Sequence, residues 1–463
     1  MIGNIIVFIS LCVGFKMKNF LSLNTTVKTK LNNKVQSYKM NNNTSYIILS
    51  GLFEFDYKLQ NQAGILKDYT GWHKRINGGD YESTLNHLST GYYDSYGNLM
   101  FPEAGNIDAL EDLSNNYLNH LTHKKTLSGD LKECFVQLRD RKLAFTIDFI
   151  DLYLFPHSRG IFSFKIDLGS DASLEDASDV LNALRQLYTT IECNGKSLSV
   201  GEFVDSQILS SFNNVKWKEF TPQLKSYTIL DLDQLDSDKQ MDELLYDFGN
   251  VSPLGSAAGN GGLAPATSYL ENQLSEHKIS VFKNWSALCL FDTFTRVSVD
   301  FPDRFKSWEY DYFNIYVLSL YVKFFMYSTN TALSDVTDTT ADTSKVRDEF
   351  IEFINDYHIG HISYKFLPNL LLQKLQSSLD IQNEIDKMEL KVNRINEHLQ
   401  EKREKNFNKL LSLLTFLGVI PLIGDISDWA VKMGASENVM FPWGSLITGF
   451  CLVTLILWII KRK

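Results

Sequence analysis

The residues with the spacing of metal ligands are His120 and His123, and again His358 and His361. Two imidazoles three positions apart on a helix share one face and can hold a zinc ion. Neither pair has a carboxylate or cysteine at a telling offset, so ordinary helix-end histidines are the plainer reading. Asp231, Asp233, Asp236, Asp238, Asp242 and Glu243 form an acidic stretch that could sense a divalent cation between subunits. It lacks the glycine of a calcium loop, and a solvated helix start explains it as well. Gly249 to Pro265 (GNVSPLGSAAGNGGLAP) has the composition of a phosphate cradle. It fits neither the Walker spacing nor a dinucleotide fingerprint, and reads as a flexible loop or linker. Asp425 and Asp428 could form carboxylate rings that favour cations, or stand in a solvated loop. No nucleophile elbow, P-loop or paired catalytic carboxylates stand out. The chain reads as a non-enzyme with no catalytic residue to name.

The elements that must position these residues read as α/β (or α+β). Tyr46 to Tyr57 is strand-like, and Ile107 to His123 is a helix candidate. Lys142 to Leu154 and Ile161 to Leu168 alternate apolar and polar side chains around the turn Pro156–Gly160, which predicts a hairpin. Ser173 with Asp176 opens an amphipathic helix through about Ile191. Ile229 to Leu232 and Trp285 to Asp300 supply further strands, and Ser334 to Ser344 reads as loop. Tyr312 to Tyr327 (YFNIYVLSLYVKFFMY) is too short and too rich in tyrosine for a span, and Lys323 sits near its end. A buried or interface helix is expected there.

The last ninety residues carry a different pattern. A helix from about Leu370 to Lys409 shows apolar Ile381, Ile385, Met388, Val392, Ile395 and Leu399 at steps of four and three. Charged residues lie between them, which predicts a coiled-coil seam for oligomerisation. Two apolar segments follow, Leu410 to Ile423 and Trp443 to Ile460, and the second is uncharged over roughly 18 residues, enough to span a bilayer. Lys402, Arg403, Lys405 and Lys409 precede the pair, and Lys461, Arg462 and Lys463 follow it. The positive-inside rule then puts the N-terminal domain and the C-terminus in the cytoplasm, at the inner membrane. The expected organisation is a disordered or artefactual leader (1–44), a cytoplasmic α/β sensor domain (45–366) and a stalk helix (367–409). A transmembrane hairpin completes it: helix 410–424, external loop 425–441, helix 442–460 and a basic tail 461–463.

Composition fits a large globular body, with 44% apolar and 13% aromatic residues. A net charge of -10 argues against a general nucleic-acid binder. Five scattered cysteines with no CxxC pair predict reduced, structural thiols. The apolar run Ile5 to Phe15 lacks a basic n-region and a cleavage site, so a signal peptide is disfavoured.

Leu414-Thr415-Phe416-Leu417-Gly418-Val419-Ile420-Pro421-Leu422, entered from a long helix, resembles the first span of the CorA family of divalent-cation channels. The resemblance covers residues 370–463 and is faint over 140–330. It implies a homo-oligomer, a pentamer in that family, with a pore wall drawn from Leu410, Leu411, Leu414, Leu417 and Pro421. CorA channels end their first span in Gly-Met-Asn, whereas this chain has Gly424-Asp425-Ile426-Ser427-Asp428-Trp429. That departure is similar to the CorA-like membrane effectors of type III CRISPR antiviral defence. The implied ligand is then a nucleotide second messenger, an S-adenosylmethionine–AMP conjugate. The alternatives are a magnesium or divalent-cation transporter gated by cytoplasmic metal, and a membrane-anchored sensor without a pore. Its ligand-binding and metal residues are not fixed by the sequence.

Overall fold

Alternating side chains and a tight turn make the first part of the sheet. This computed structural model describes residues 39–55, 72–74, 91–100, 121–127, 132–138, 141–155, 157–210, 212, 214–259, 264–300, 306–335, 340–432 and 449. Tyr46–Glu54 forms β1, followed by β2 (Trp72–Lys74), α1 (Asp94–Met100), β3 (Leu121–Thr126) and β4 (Glu133–Gln137). The expected hairpin is β5 (Lys142–Phe155) and β6 (Arg159–Leu168). Ser173 and Asp176 cap each other and start α2 (Leu174–Leu184). This helix ends short of Ile191, which belongs to β7 (Thr190–Cys193). β8 (Lys196–Ser199), α3 (Val200–Phe203), β9 (Lys225–Leu232), α4 (Asp238–Gly249), α5 (Thr267–His277) and β10 (Lys278–Phe282) follow. The hairpin β11 (Trp285–Leu290) and β12 (Thr293–Val299) leads to α6 (Asp311–Asp335), α7 (Thr340–Tyr357), α8 (Phe366–Ser378) and α9 (Ile381–Lys432). The helix expected over Ile107 to His123 ends instead in strand β3, and residues 107–120 lie outside the described residues. Ser334 to Ser344, expected as loop, is helical at both described ends.

Among the described residues twelve strands form one sheet, in the order β10-β11-β12-β9-β1-β6-β5-β4-β7-β8. The outer edge of β5 is shared: β4 pairs with its first half and β3 with its second, and β2 pairs with β3. One face buries Ile47, Leu49, Phe164 and Leu230 with Leu181 of α2 and Leu245 of α4. The opposite face is roofed by α6. A helix apolar on every side belongs in a core or in a bilayer; here it is core, within the expectation of a buried or interface helix, although at 25 residues it is longer than the apolar run suggested. Tyr321 stacks on Phe155 at 3.9 Å, Phe325 stacks on Phe353 of α7 at 3.6 Å, and the Tyr316 hydroxyl donates to Asp292 O at 2.6 Å.

Two cysteines are not free thiols. Cys134 on β4 and Cys193 on β7 stand directly opposite in the ladder, with Cα atoms 4.5 Å apart, and form a disulfide. Fifty-nine residues separate them, so spacing along the chain gave no sign of the pair. Cys289 is free and buried. The end of the expected leader is also ordered, since Met40 is buried and bridges to Leu232.

The chain divides into two units, residues 1–337 with 345–386 and residues 338–344 with 387–463. The first holds the sheet and the second most of α9. The C-terminal expectations are corrected here: the transmembrane hairpin, the membrane and ion-channel character, and the inner-membrane location. Among the described residues no helix is long and apolar enough to cross a membrane. The apolar run Leu410 to Ile423 is bounded by Lys409 and Asp425. Its rise of about 21 Å falls short of about 30 Å of hydrocarbon. Trp443 to Ile460 lies outside the described residues apart from Gly449. The loop expected from residue 425 is helical to Lys432, so Pro421, Asp425 and Asp428 all stand within α9. The single stalk helix is instead divided. α8 stops at Ser378, and Asp380 takes φ 54° before α9 begins.

Candidate functional site

An extra residue in one strand creates a charged cluster in the first unit. Ile147 pairs with Ile166 and Ile150 with Phe164, so Asp148 and Phe149 together oppose Lys165. Such a bulge re-aims side chains that strict alternation would send to opposite faces. Both now meet Lys165, whose Nζ lies 3.4 Å from Asp148 and 5.7 Å from the centre of the Phe149 ring. Asp167, two residues along β6, is 3.5 Å from the same ammonium, and Glu309 is 3.2 Å from it. The Tyr46 ring, from β1, lies 5.0 Å away. Lys124 of β3 also meets the Phe149 ring at 3.9 Å and faces Tyr310 at 5.5 Å.

A second cluster meets the same entry to α6. Asp231, at the end of β9, is 1% exposed. Its carboxylate accepts from Thr44 Oγ1 at 2.8 Å and from Ser298 Oγ at 2.9 Å. Arg296 donates to Ser298 Oγ at 3.0 Å, and its guanidinium lies over Trp308 at 4.9 Å. The Trp308 carbonyl in turn accepts from the Tyr227 hydroxyl at 2.8 Å. Asp231 and Ser298 are the last pair but one of the parallel ladder β9–β12, and the carboxyl ends of parallel strands are the usual ligand positions of α/β sheets. Residues 306–310 therefore join two polar clusters on one face.

The electrostatics limit what this site can do. Burial alone would lower Lys165, but Glu309, Asp167 and Asp148 overcome it and push the amine up to about 12. An amine held that firmly protonated is no nucleophile. Asp167 is pushed the other way. Burial, against the pull of Lys165 and with the repulsion of Asp148 and Glu309, carries it up to about 6. It can therefore exchange a proton near neutrality. Tyr46, Phe149, Trp308 and Arg296 are buried, and rings packed on cations hold charge rather than make bonds.

The residues singled out in the sequence scatter. His123 is on a strand, His358 and His361 follow α7 in an exposed turn, and His120 lies outside the described residues. Of the acidic stretch, Asp233, Asp236 and Asp238 are exposed, Asp242 pairs with Lys278 at 2.5 Å, and Glu243 faces Lys239. Among the described residues no group of three or more His, Cys, Asp or Glu is placed to hold a metal ion. Ile381, Ile385, Met388, Val392 and Leu399 of the expected seam are buried in the single chain, and Ile395 is half-buried.

The Gly-rich loop is occupied by its own chain. Asp247, in the last turn of α4, accepts from Gly255 N at 2.6 Å and Ala257 N at 2.8 Å, and its carbonyl accepts from Ser252 N at 2.8 Å. Backbone N–H groups that could cradle a phosphate thus wrap a carboxylate. Asp247→Ala should leave those donors unpaired, destabilise the first unit by about 2 kcal/mol and open residues 250–259 to protease. Limited proteolysis with mapped cleavage checks this. A loop cut no faster than in the wild type rejects the cradle.

The bulge and the Lys165 group were missed in the sequence because alternation through Lys142 to Leu154 hides one extra residue. The one available signal was Asp148-Phe149-Ile150, where the alternation breaks. Comparison with family models, with curated proteins and with solved structures finds no match.

Proposed function

We propose that this chain is a non-catalytic, self-associating effector. The first unit receives a nucleotide ligand, and copies assemble through α9. The observation that carries the reading is an exposed apolar stripe. Phe407, Leu410, Leu411, Leu414 and Leu417 are each more than half exposed. By helical spacing they fall within an arc of about 120°. Leu413, also exposed, lies about 40° beyond one edge of that arc, and Lys405, Lys409 and Ser412 fall on the opposite side. A helix polar along one side is built to meet another surface. A stripe at steps of three and four is complementary to copies of itself around a shared axis. Exposed leucines in such number demand cover.

The nucleotide rests on the chemistry of the charged belt, where Tyr46, Phe149, Trp308 and Tyr310 alternate with Lys124, Lys165 and Arg296. Rings meet bases and cations meet phosphates. The S-adenosylmethionine–AMP conjugate implied by the CorA-like resemblance is the candidate input. Sedimentation of the purified full chain, with and without that conjugate, tests both halves. The wild type should form oligomers, and the conjugate should shift their distribution. Leu410→Ser/Leu414→Ser/Leu417→Ser should raise the dissociation constant at least about 100-fold, from roughly 1.5 kcal/mol lost per buried leucine. A wild type that stays monomeric, or floats with vesicles as a monomer, overturns the self-association.

A further inference from the structure

We infer that Arg159 is the centre of an oxyanion-binding site at the tip of the β5–β6 hairpin. The residue as a whole is only 7% exposed. Nε donates to Ser328 Oγ at 2.6 Å, Nη1 donates to His157 O at 3.2 Å, and the Phe325 ring covers one face at 4.5 Å. Among the described residues no carboxylate comes within ion-pair distance of it, and Nη2 has no hydrogen-bond partner. Lys165, Arg185, Lys225 and Lys323 each meet a carboxylate in the same unit. Arg159 differs from all four. Glu54 stands opposite it in the β1–β6 register, yet makes no ion pair with it. A buried cation without a counter-ion is costly, so the site is complete only when an anion enters. The free edge of a guanidinium presents paired N–H groups, which fit two oxygens of one oxyanion.

The turn that presents Arg159 is an independent observation. His157 and Ser158 both adopt the left-handed region, at φ 62° and 60°. Neither is a glycine; two left-handed residues in a row suit a tight hairpin turn, and the conformation still costs a non-glycine residue some strain. Strain of this kind persists where the surrounding structure enforces it and gathers at ligand clamps. Here it sets the His157 carbonyl on Nη1 and the His157 ring edge-on to Phe325 at 5.3 Å. Ser328 Oγ accepts from Arg159 while donating to Phe325 O at 3.2 Å. Burial and the nearby Arg159 charge hold His157 down to about 4. An anion on Arg159 reverses the second of these causes. The ionisable groups around the pair are Glu54 of β1, Tyr321 of α6 and Glu349 of α7.

The inference is independent of self-association and of the belt near α6. Its test titrates the full chain with inorganic phosphate and with acetate, against chloride at fixed ionic strength. Thermal melting and the His157 imidazole signals in NMR are followed together. Either anion should give a saturating rise in melting temperature and raise the His157 pKa by about one. Phosphate alone would assign a phosphate-bearing ligand, and acetate alone a carboxylate-bearing one. Arg159→Met should abolish both responses. Arg159→Lys keeps the charge but loses the fork, and should weaken binding about tenfold, which decides the matter if the Met variant does not fold. Three results overturn the site: no response beyond chloride, Arg159→Lys binding as tightly as the wild type, or Glu54→Gln destabilising the chain as much as Arg159→Met. The last would make Glu54 the counter-ion in solution.

Discussion

Lys165→Met should lower the stability of the first unit by about 3 kcal/mol at pH 7, with a smaller loss at pH 5. The lysine side chain is 12% exposed and stands among Asp148, Asp167 and Glu309. Methionine keeps the apolar stem against Tyr46 and Phe149 but leaves three carboxylates facing one another. Breaking a buried ion pair costs more than the pair itself contributes, because the remaining charges stay desolvated. Asp148 and Asp167 retain some contact with water, which holds the expected loss at the lower end.

The pH dependence has a definite sign. An unfolded aspartate titrates near 3.9, and folded Asp167 is raised to about 6. Its contribution to stability is present below about pH 4 and is lost as pH rises through 6. Without the ammonium its folded value climbs further, so the penalty keeps growing toward neutrality. Urea unfolding at pH 5 and pH 7 measures the difference. Equal losses at the two values would assign the effect to the packing of the methionine rather than to charge.

Gly51→Ala should cost about 3 kcal/mol and be partly relieved by Phe162→Leu. Gly51 of β1 pairs with Phe162 of β6, and Phe53 pairs with Gly160. Each ring lies over the glycine opposite, and the two ring centres are 6.3 Å apart. A methyl group on Gly51 would come within 2.2 Å of Phe162 Cζ, and one on Gly160 within 2.2 Å of Phe53 Cζ. Both rings are fully buried, so neither can swing aside without displacing the core beneath α2. In a double-mutant cycle the losses should be non-additive by about 1 kcal/mol or more, since leucine lacks the ring edge that the methyl group strikes. Additive losses would show that ring and methyl do not meet.

Much of the local structure was legible. Two-residue alternation and a turn gave β5 and β6, because the side-chain period of a strand is written directly in sequence. Ser173 with Asp176 gave the start of α2, since a cap involves residues only three apart. Tyr312 to Tyr327 was assigned to the core by length and by Lys323, and α6 is buried there. The end of α2 was placed too late, because its last residues and β7 share an apolar character. The break at Asp380 was invisible. Nothing in Ser378-Leu379-Asp380 opposes a continuous helix, and the kink is fixed from outside by Lys323, which donates to the Leu379 carbonyl at 2.9 Å and pairs with Glu384.

The candidate sites divide the same way. Composition and spacing determined the β5–β6 hairpin, the start of α2 and the helix over Tyr312 to Tyr327, but not strand β3 or the helical ends of Ser334 to Ser344. They also marked the apolar character of α9, although not what covers it. Only the tertiary structure decided which residues meet. It joined Cys134 to Cys193, brought Glu309 to Lys165 across 144 residues, filled the Gly-rich loop with Asp247 and left Arg159 without an ion pair among the described residues. The physical reason is range. Hydrophobic period, caps and turns are decided by neighbours a few positions away, whereas ion pairs, disulfides and buried charges depend on strand order, which no local pattern encodes.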